Sequence, residues 1–186
     1  MGNPYRCKSS CHPRVRTRIQ VLLEYLRTRP DVDPKRISVV GITWGAPFAI
    51  LAAKKNPDLN SLVLVNGFAE FTDFLENSIT KTLSPLPTFL TQYPARWFTR
   101  LFNLYAQAPR VTSSAETLFG TQRVLVIEAT QDWITPPSCR DHLLNALEKS
   151  NAQVQRILVP GQHIFFNSKK SAARLVEIFE HGLISL

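Results

Sequence analysis

The stretch Gly41-Ile42-Thr43-Trp44-Gly45 decides the fold of this 186-residue chain. It follows Ile37-Ser38-Val39-Val40, a short β-branched run that is typical of a buried parallel strand. After Gly45 an alanine-rich pattern with helical spacing continues to about Lys55, and Pro47 fits this helix because it falls in the first turn. The stretch therefore predicts a sharp turn that leads from a buried strand directly into a helix.

Further strands and helices alternate along the rest of the chain. The other predicted strands are Ser61–Val65, Arg123–Ile127 and Val154–Val159, the last of which alternates at first and is expected nearer a sheet edge. The other predicted helices span Pro13–Arg29, 139–149 and 168–182. This order predicts an α/β fold, a parallel sheet of about four strands with helices on both faces.

The domain organisation follows from the same pattern. We expect a disordered basic tail over residues 1–12 and a single domain over residues 13–186. An insert at about residues 67–122 separates the second and third strands and is rich in aromatic residues and proline. Such an insert suits a helical cap over a pocket, and packed core is the alternative interpretation.

The glycines of the first stretch have a physical explanation. A turn this sharp holds its central residue, Thr43, in a strained conformation, so Gly41 and Gly45 are expected to lack side chains because a side chain there would collide. The turn also raises the Thr43 hydroxyl at a helix N-terminus. The backbone N–H of Trp44 can face a developing oxyanion there.

Two further polar residues follow predicted strands. Asp132 comes after the third strand and His163 after the fourth, in loops at the carboxyl ends where open α/β sheets place their sites. Glu128 competes for the acidic role, but it still lies within the predicted strand. The order of nucleophile, acid and histidine is the order of a hydrolytic triad on an α/β sheet.

These motifs resemble those of the α/β-hydrolase superfamily, in its esterase, dienelactone-hydrolase-like and serine-aminopeptidase-like branches. The resemblance runs from about residue 13 to the end and rests on Asp33-Pro34-Lys35-Arg36-Ile37, Asp132-x-x-Thr135-Pro136 and Pro160-Gly161-x-His163. It implies that Thr43 is the nucleophile, His163 the general base and Asp132 the group that orients the imidazole. A small acyl substrate is implied, with neither a cofactor nor a metal.

Two departures from that family leave the activity open. Thr43 stands where serine is usual, and its β-branched side chain is stiff and adds a methyl group where the substrate approaches. Strands that precede the turn in the family, with the loop that donates the second oxyanion hydrogen bond, have no counterpart here. The first strand is therefore expected to expose an edge that a homodimer or a partner chain would cover. A catalytically inactive protein that serves in binding is the alternative function.

The remaining composition bounds location and partners. The formal charge is +8, and residues 1–36 hold nine basic and three acidic side chains. That basic end suggests anion binding as a third hypothesis, although a solvated helix face is favoured and nucleic acid is not expected as a partner. Three cysteines, no apolar run of membrane length and no signal peptide indicate a cytoplasmic protein. A zinc knuckle at Cys7, Cys11 and His12 lacks a second ligand pair.

Overall fold

The computed structural model describes residues 13–83, 86–106, 111–120 and 122–163, with 173, 176 and 177 near the end of the chain. Four parallel strands form one sheet in the order β1-β2-β3-β4, so the predicted fold class is confirmed. The strands are β1 Ser38–Ile42, β2 Ser61–Val65, β3 Arg123–Ala129 and β4 Gln153–Val159. The predicted tail over 1–12 and nearly all of the helix predicted at 168–182 lie outside the described residues.

Six α-helices accompany these strands in the described ranges, and the first of them precedes β1. They are α1 Pro13–Thr28, α2 Ala46–Lys55, α3 Phe71–Thr82, α4 Thr88–Ala106, α5 Thr112–Ala115 and α6 Pro137–Glu148. Apolar side chains of α1, α2 and α6 pack with alternate residues of the strands into one core. A second apolar cluster, which includes Val63, Leu125 and Ile127, is buried on the opposite face of the sheet. No helix in these ranges is both long and apolar enough to cross a membrane.

The edge strand β1 is more exposed than its neighbour β2. Val40 is 46% exposed and Ile42 is 44% exposed, whereas their register partners Val63 and Val65 in β2 are fully buried. Because β1 is paired on one side only, the apolar side chains of this strand lack the neighbours that cover β2. The described part of the sheet therefore has the open, apolar edge that the sequence predicts.

The insert between β2 and β3 contains α3, α4 and α5, and the first two pack against each other. Small residues of α4 face inward and are buried, whereas large apolar residues of the same helix are exposed. The buried set is Thr91, Ala95 and Thr99, and the exposed set is Leu90, Tyr93, Trp97, Phe98 and Leu101. The aromatic residues of the insert therefore do not all face the sheet.

The turn between β1 and α2 is a single 3₁₀ turn over Thr43–Gly45. A Cβ atom at Gly41 would lie 2.7 Å from the Cα of Ala46 and 2.7 Å from the Cβ of Ala49, so the strand and helix meet too closely for any side chain. At Gly45 a Cβ would meet no atom within 4 Å, and φ is −75°. The collision expected at both glycines is therefore found at Gly41, and the expectation for Gly45 is wrong because the chain there already follows the open helix path.

Alanine substitutions at the two glycines should differ in their effect on stability. Gly41→Ala is expected to lower the free energy of unfolding by about 1–3 kcal/mol, because backbone atoms of α2 must move to admit the methyl group. Gly45→Ala is the matched control and should change it by less than about 1 kcal/mol. Urea unfolding followed by circular dichroism measures both, and equal losses would contradict the close contact at Gly41.

Candidate active site

Three loops that follow three different strands meet at one end of the sheet. Thr43 follows β1, Asp132 follows β3 and His163 follows β4. All four strands are parallel, so their carboxyl ends share one edge of the sheet, and side chains that are far apart in sequence come together there. The structure thus brings together the three residues that the sequence singled out.

The imidazole of His163 lies between the other two side chains. The Oγ1 atom of Thr43 is 3.0 Å from Nε2 of His163, and Oδ2 of Asp132 is 2.8 Å from Nδ1 of the same ring. His163 and Asp132 are buried, whereas Thr43 is partly exposed. The arrangement is a continuous hydrogen-bonded chain from the hydroxyl of a partly exposed residue to a buried carboxylate.

Thr43 adopts an unusual backbone conformation in this chain. Its φ angle is 48°, in the left-handed region that β-branched residues rarely occupy. Holding a residue there costs on the order of 1–3 kcal/mol, and such strain is maintained only where the surrounding structure imposes it. Here the close contact of β1 with α2 at Gly41 imposes it, and the strained residue is the one whose hydroxyl contacts His163.

The carboxylate of Asp132 is held from both sides. Its Oδ1 atom accepts hydrogen bonds from the backbone N–H groups of Ile134, at 2.9 Å, and Thr135, at 2.8 Å. The other oxygen, Oδ2, is left to accept from the imidazole. Hydrogen bonds to an ionised carboxylate stabilise its charged form and fix its direction, so the position of Oδ2 does not depend on the imidazole alone.

The hydrogen-bond partners determine the tautomer of a neutral His163. Asp132 offers only acceptor oxygens when ionised, so Nδ1 must carry the proton. Nε2 is then an acceptor, and the Thr43 hydroxyl donates to it. This protonation pattern is the one in which an imidazole can remove a proton from a hydroxyl group.

Glu128, the competing acid, is placed elsewhere. It lies within β3, is almost fully buried, and its Oε2 accepts two hydrogen bonds from the guanidinium of Arg156, at 2.9 and 2.6 Å. The acid that contacts His163 is therefore Asp132 and not Glu128.

An aromatic surface lies beside the turn. The indole ring of Trp44 is 4.7 Å from the ring of Phe71 and 6.0 Å from the ring of Phe74, and both contacts are edge-to-face. Phe68 stacks on Phe74 with 4.5 Å between ring centroids. The aromatic cluster, defined as Trp44, Phe68, Phe71 and Phe74, thus joins the residue after Thr43 to the first helix of the insert.

Two further residues contact His163, and the sequence analysis predicted neither of them as a site residue. The Thr135 hydroxyl lies 3.4 Å from Nδ1 of His163, and the Asn66 side-chain amide donates to the backbone carbonyl of His163 at 2.5 Å. The available signal for Asn66 was its place directly after a buried strand and before Gly67, where asparagine is a common turn residue. Such a position does not reveal which distant loop the side chain contacts.

The next feature is the arrangement of candidate metal ligands in the part of the chain that the structure describes. No group of three or more histidine, cysteine, aspartate or glutamate side chains is placed to hold a metal ion there. His142 lies on α6, partly exposed, and its Nδ1 is 3.0 Å from a carboxylate oxygen of Asp73 on α3. Cys7, Cys11 and His12, the other candidate ligands, lie outside the described ranges.

Comparison with known proteins points to one superfamily. The sequence profile of the dienelactone hydrolase family matches residues 6–87. The alpha/beta hydrolase domain-containing protein WAV2 of Arabidopsis thaliana is 27% identical over 147 residues, which are 78% of this chain and 46% of that protein. The chain thus spans about half the length of this curated relative.

Solved structures of hydrolases have a similar fold. The esterase Pf2001 of Pyrococcus furiosus matches with a TM-score of 0.62 at 15% identity, covering 92% of this chain and 63% of the esterase. Est1E of Butyrivibrio proteoclasticus matches with a TM-score of 0.61 at 18% identity, covering 92% and 70%. A puromycin-hydrolyzing peptidase of Mycobacterium tuberculosis matches with a TM-score of 0.61 at 17% identity, covering 88% and 23%.

The hydrogen-bonding of His163 makes a prediction that needs no turnover. In the wild-type chain the neutral imidazole should carry its proton on Nδ1, and Asp132→Asn should move it to Nε2, because an amide can donate to Nδ1. Nitrogen-15 NMR of the histidine side chains distinguishes the two tautomers. Glu128→Gln, which alters a buried acid paired with Arg156, should leave the tautomer unchanged; a shift as large as that of Asp132→Asn would contradict the assignment.

Proposed function

We propose that this chain, which is similar to α/β-hydrolases in sequence and fold, hydrolyses an ester, thioester or amide by acyl transfer to Thr43. The observation that supports this proposal is the hydrogen-bonded chain from Thr43 Oγ1 through His163 to Asp132. A hydroxyl group is a weak nucleophile until a base removes its proton, and the imidazole is within hydrogen-bond distance to do so.

The reaction would proceed in two matched halves. Nε2 of His163 takes the proton of Thr43 Oγ1 while that oxygen bonds to the carbonyl carbon of the substrate, and the carbonyl oxygen becomes an oxyanion. The bond between the carbonyl carbon and the leaving group then breaks, and His163 donates its proton to the leaving group. A water molecule, deprotonated by the same imidazole, next attacks the carbonyl carbon of the acyl group on Thr43. The bond from that carbon to Oγ1 then breaks, His163 donates the proton to Oγ1, and the acid product leaves.

The backbone N–H of Trp44 is the proposed donor to the oxyanion. It belongs to the residue after Thr43, in the 3₁₀ turn that precedes α2, where the dipole of the following helix favours negative charge. The β-branched side chain of Thr43 is stiffer than that of serine and carries an extra methyl group, so we expect slow turnover.

The insert supplies the proposed cap. Its first helix, α3, packs the buried side chains of Phe71 and Phe74 against Trp44, the residue after Thr43. The indole of Trp44 itself is 53% exposed, and an apolar surface of this kind favours a substrate with an apolar acyl or leaving group.

The second candidate function is a binding protein with the same fold and no turnover. Two observations favour it: the strained, β-branched Thr43 and the open, apolar edge of β1, which is suited to binding another chain. The methyl group of Thr43 stands where an acyl carbon must approach, so the geometry of proton transfer alone does not guarantee attack.

Hydrolysis of a short-chain p-nitrophenyl ester separates the two candidates. We expect slow turnover by the wild-type chain, about tenfold faster turnover by Thr43→Ser because the methyl group is removed, and none above background for His163→Ala. His142→Ala is the matched control, since that histidine lies on α6 away from the triad, and it should keep the wild-type rate.

The same assay also contains the result that opposes the proposal. If neither the wild-type chain nor Thr43→Ser turns over, while circular dichroism shows both to be folded, acyl transfer is excluded and the binding function stands. If His142→Ala lowers the rate as much as His163→Ala, the activity does not come from this triad.

We also propose that a second copy of the chain or a partner chain covers the open edge of β1. The apolar side chains of Val40 and Ile42 support this, because exposed apolar strand edges pair readily with other strands. A cytoplasmic location is proposed as well, on the low cysteine content, and imaging of a tagged full chain in cells tests it.

Self-association through β1 is measurable by size-exclusion chromatography with light scattering. We expect the wild-type chain to associate and Val40→Lys to be monomeric, because a lysine on an edge strand opposes pairing. Val21→Lys makes the same change at an exposed valine of α1 and should not affect association. A wild-type chain that stays monomeric as its concentration rises would exclude the second copy as the covering chain.

A further inference from the structure

Asn66 has a backbone and a burial that set it apart from other loop residues. It follows β2 directly, it is 1% exposed, and its φ angle is 46°. Within the described residues, Thr43 is the one other non-glycine residue with a positive φ. Asparagine tolerates the left-handed region better than most residues, so the residue type fits the conformation.

The side chain of Asn66 makes two hydrogen bonds, one to the backbone of the histidine loop and one to the last residue of β3. Its Nδ2 donates to the carbonyl oxygen of His163 at 2.5 Å, and its Oδ1 accepts from the N–H of Ala129 at 2.8 Å. The partners determine the orientation of the amide, because a carbonyl can only accept and an N–H can only donate. One buried side chain thus joins the end of β3 to the histidine loop.

The backbone of Asn66 ties this link to the sheet. Its N–H donates to the carbonyl oxygen of Ile127 in β3 at 2.8 Å, so the residue is anchored before its side chain reaches outward. The earlier part of the histidine loop is held differently, by hydrogen bonds from Thr130 to Val159 and from Gln131 to Gly161. At His163 itself, Asn66 holds the main chain and Asp132 holds the ring.

We propose that Asn66 is a positioning residue that fixes the backbone of His163, so that the imidazole spans the distance between Thr43 and Asp132. The proposal rests on the proposed function in that the triad is taken as the site. Asn66 touches no reacting atom and acts only through His163. Because a shift of about 1 Å in a catalytic group can cost on the order of a hundredfold in rate, one such hydrogen bond is enough to matter.

The substitution Asn66→Asp removes the hydrogen bond donated to His163 and adds a buried carboxylate in its place. An aspartate has the same shape, tolerates the same φ and can still accept from Ala129, but an ionised carboxylate cannot donate to the carbonyl of His163. The matched control is Asn56→Asp. Asn56 is also buried and its Nδ2 donates to a backbone carbonyl, that of Ala52 at 2.8 Å, but it ends α2 and does not contact the triad.

The readout is the imidazole of His163, followed by nitrogen-15 and proton NMR in the full chain. We expect Asn66→Asp to broaden or shift the Nδ1–H signal and to speed its exchange with water by about tenfold or more. Asn56→Asp should leave this signal as in the wild-type chain, although it also adds a carboxylate, in this case beside Arg27. If the wild-type chain turns over, kcat of Asn66→Asp should fall about tenfold to a hundredfold with KM within about twofold.

The NMR measurement separates failure of this proposal from failure of the proposed function. An unchanged His163 signal in folded Asn66→Asp overturns the positioning role, and so does an equal change in Asn56→Asp. A wild-type chain without turnover but with a His163 signal that depends on Asn66 refutes acyl transfer and keeps the positioning role. If Asn66→Asp does not fold, Asn66→Gly, which permits the same φ and lacks both side-chain hydrogen bonds, is read in the same way.

Discussion

The close contact between β1 and α2 at Gly41 is the constraint on which the rest of the site depends. No Cβ fits there, so the helix begins almost against the strand and the chain must reverse within Thr43–Gly45. That reversal places Thr43 in the left-handed region, with its hydroxyl within hydrogen-bond distance of Nε2 of His163. The strain at Thr43 is thus a consequence of packing behind it, and the hydroxyl would lose its direction if the strand and helix moved apart.

Much of this arrangement was predictable because it depends on local pattern. Apolar β-branched runs such as Ser61–Val65 identify parallel strands, and polar residues that follow them must meet at the carboxyl edge of the sheet. Hence the sequence pattern alone predicts that Asp132 and His163 lie close to Thr43. Local pattern also favours Asp132 over Glu128 as the partner of His163, because Glu128 lies within β3 whereas Asp132 lies in the loop after it.

What the sequence did not reveal depends on partners that are distant in the chain. The role of Asn66 comes from hydrogen bonds to residues 63 and 97 positions away, which no periodicity encodes. Gly45 looked as necessary as Gly41, yet only the positions of Ala46 and Ala49 decide which glycine is crowded. The insert shows the same limit: its aromatic content suggested a cap, but composition does not tell that α3 faces Trp44 while Trp97 of α4 faces outward.

The open edge and the proposed oxyanion donor, the backbone N–H of Trp44, belong to the same strand and the turn that follows it. Thr43 extends from β1, the strand whose second side is unpaired, and Val40 and Ile42 are exposed on it while Val63 and Val65 beside them are buried. Whatever covers β1 would bury the apolar residues of this strand and lie close to Thr43, the proposed nucleophile. The chain that completes the sheet would therefore also be placed to contribute to the proposed site.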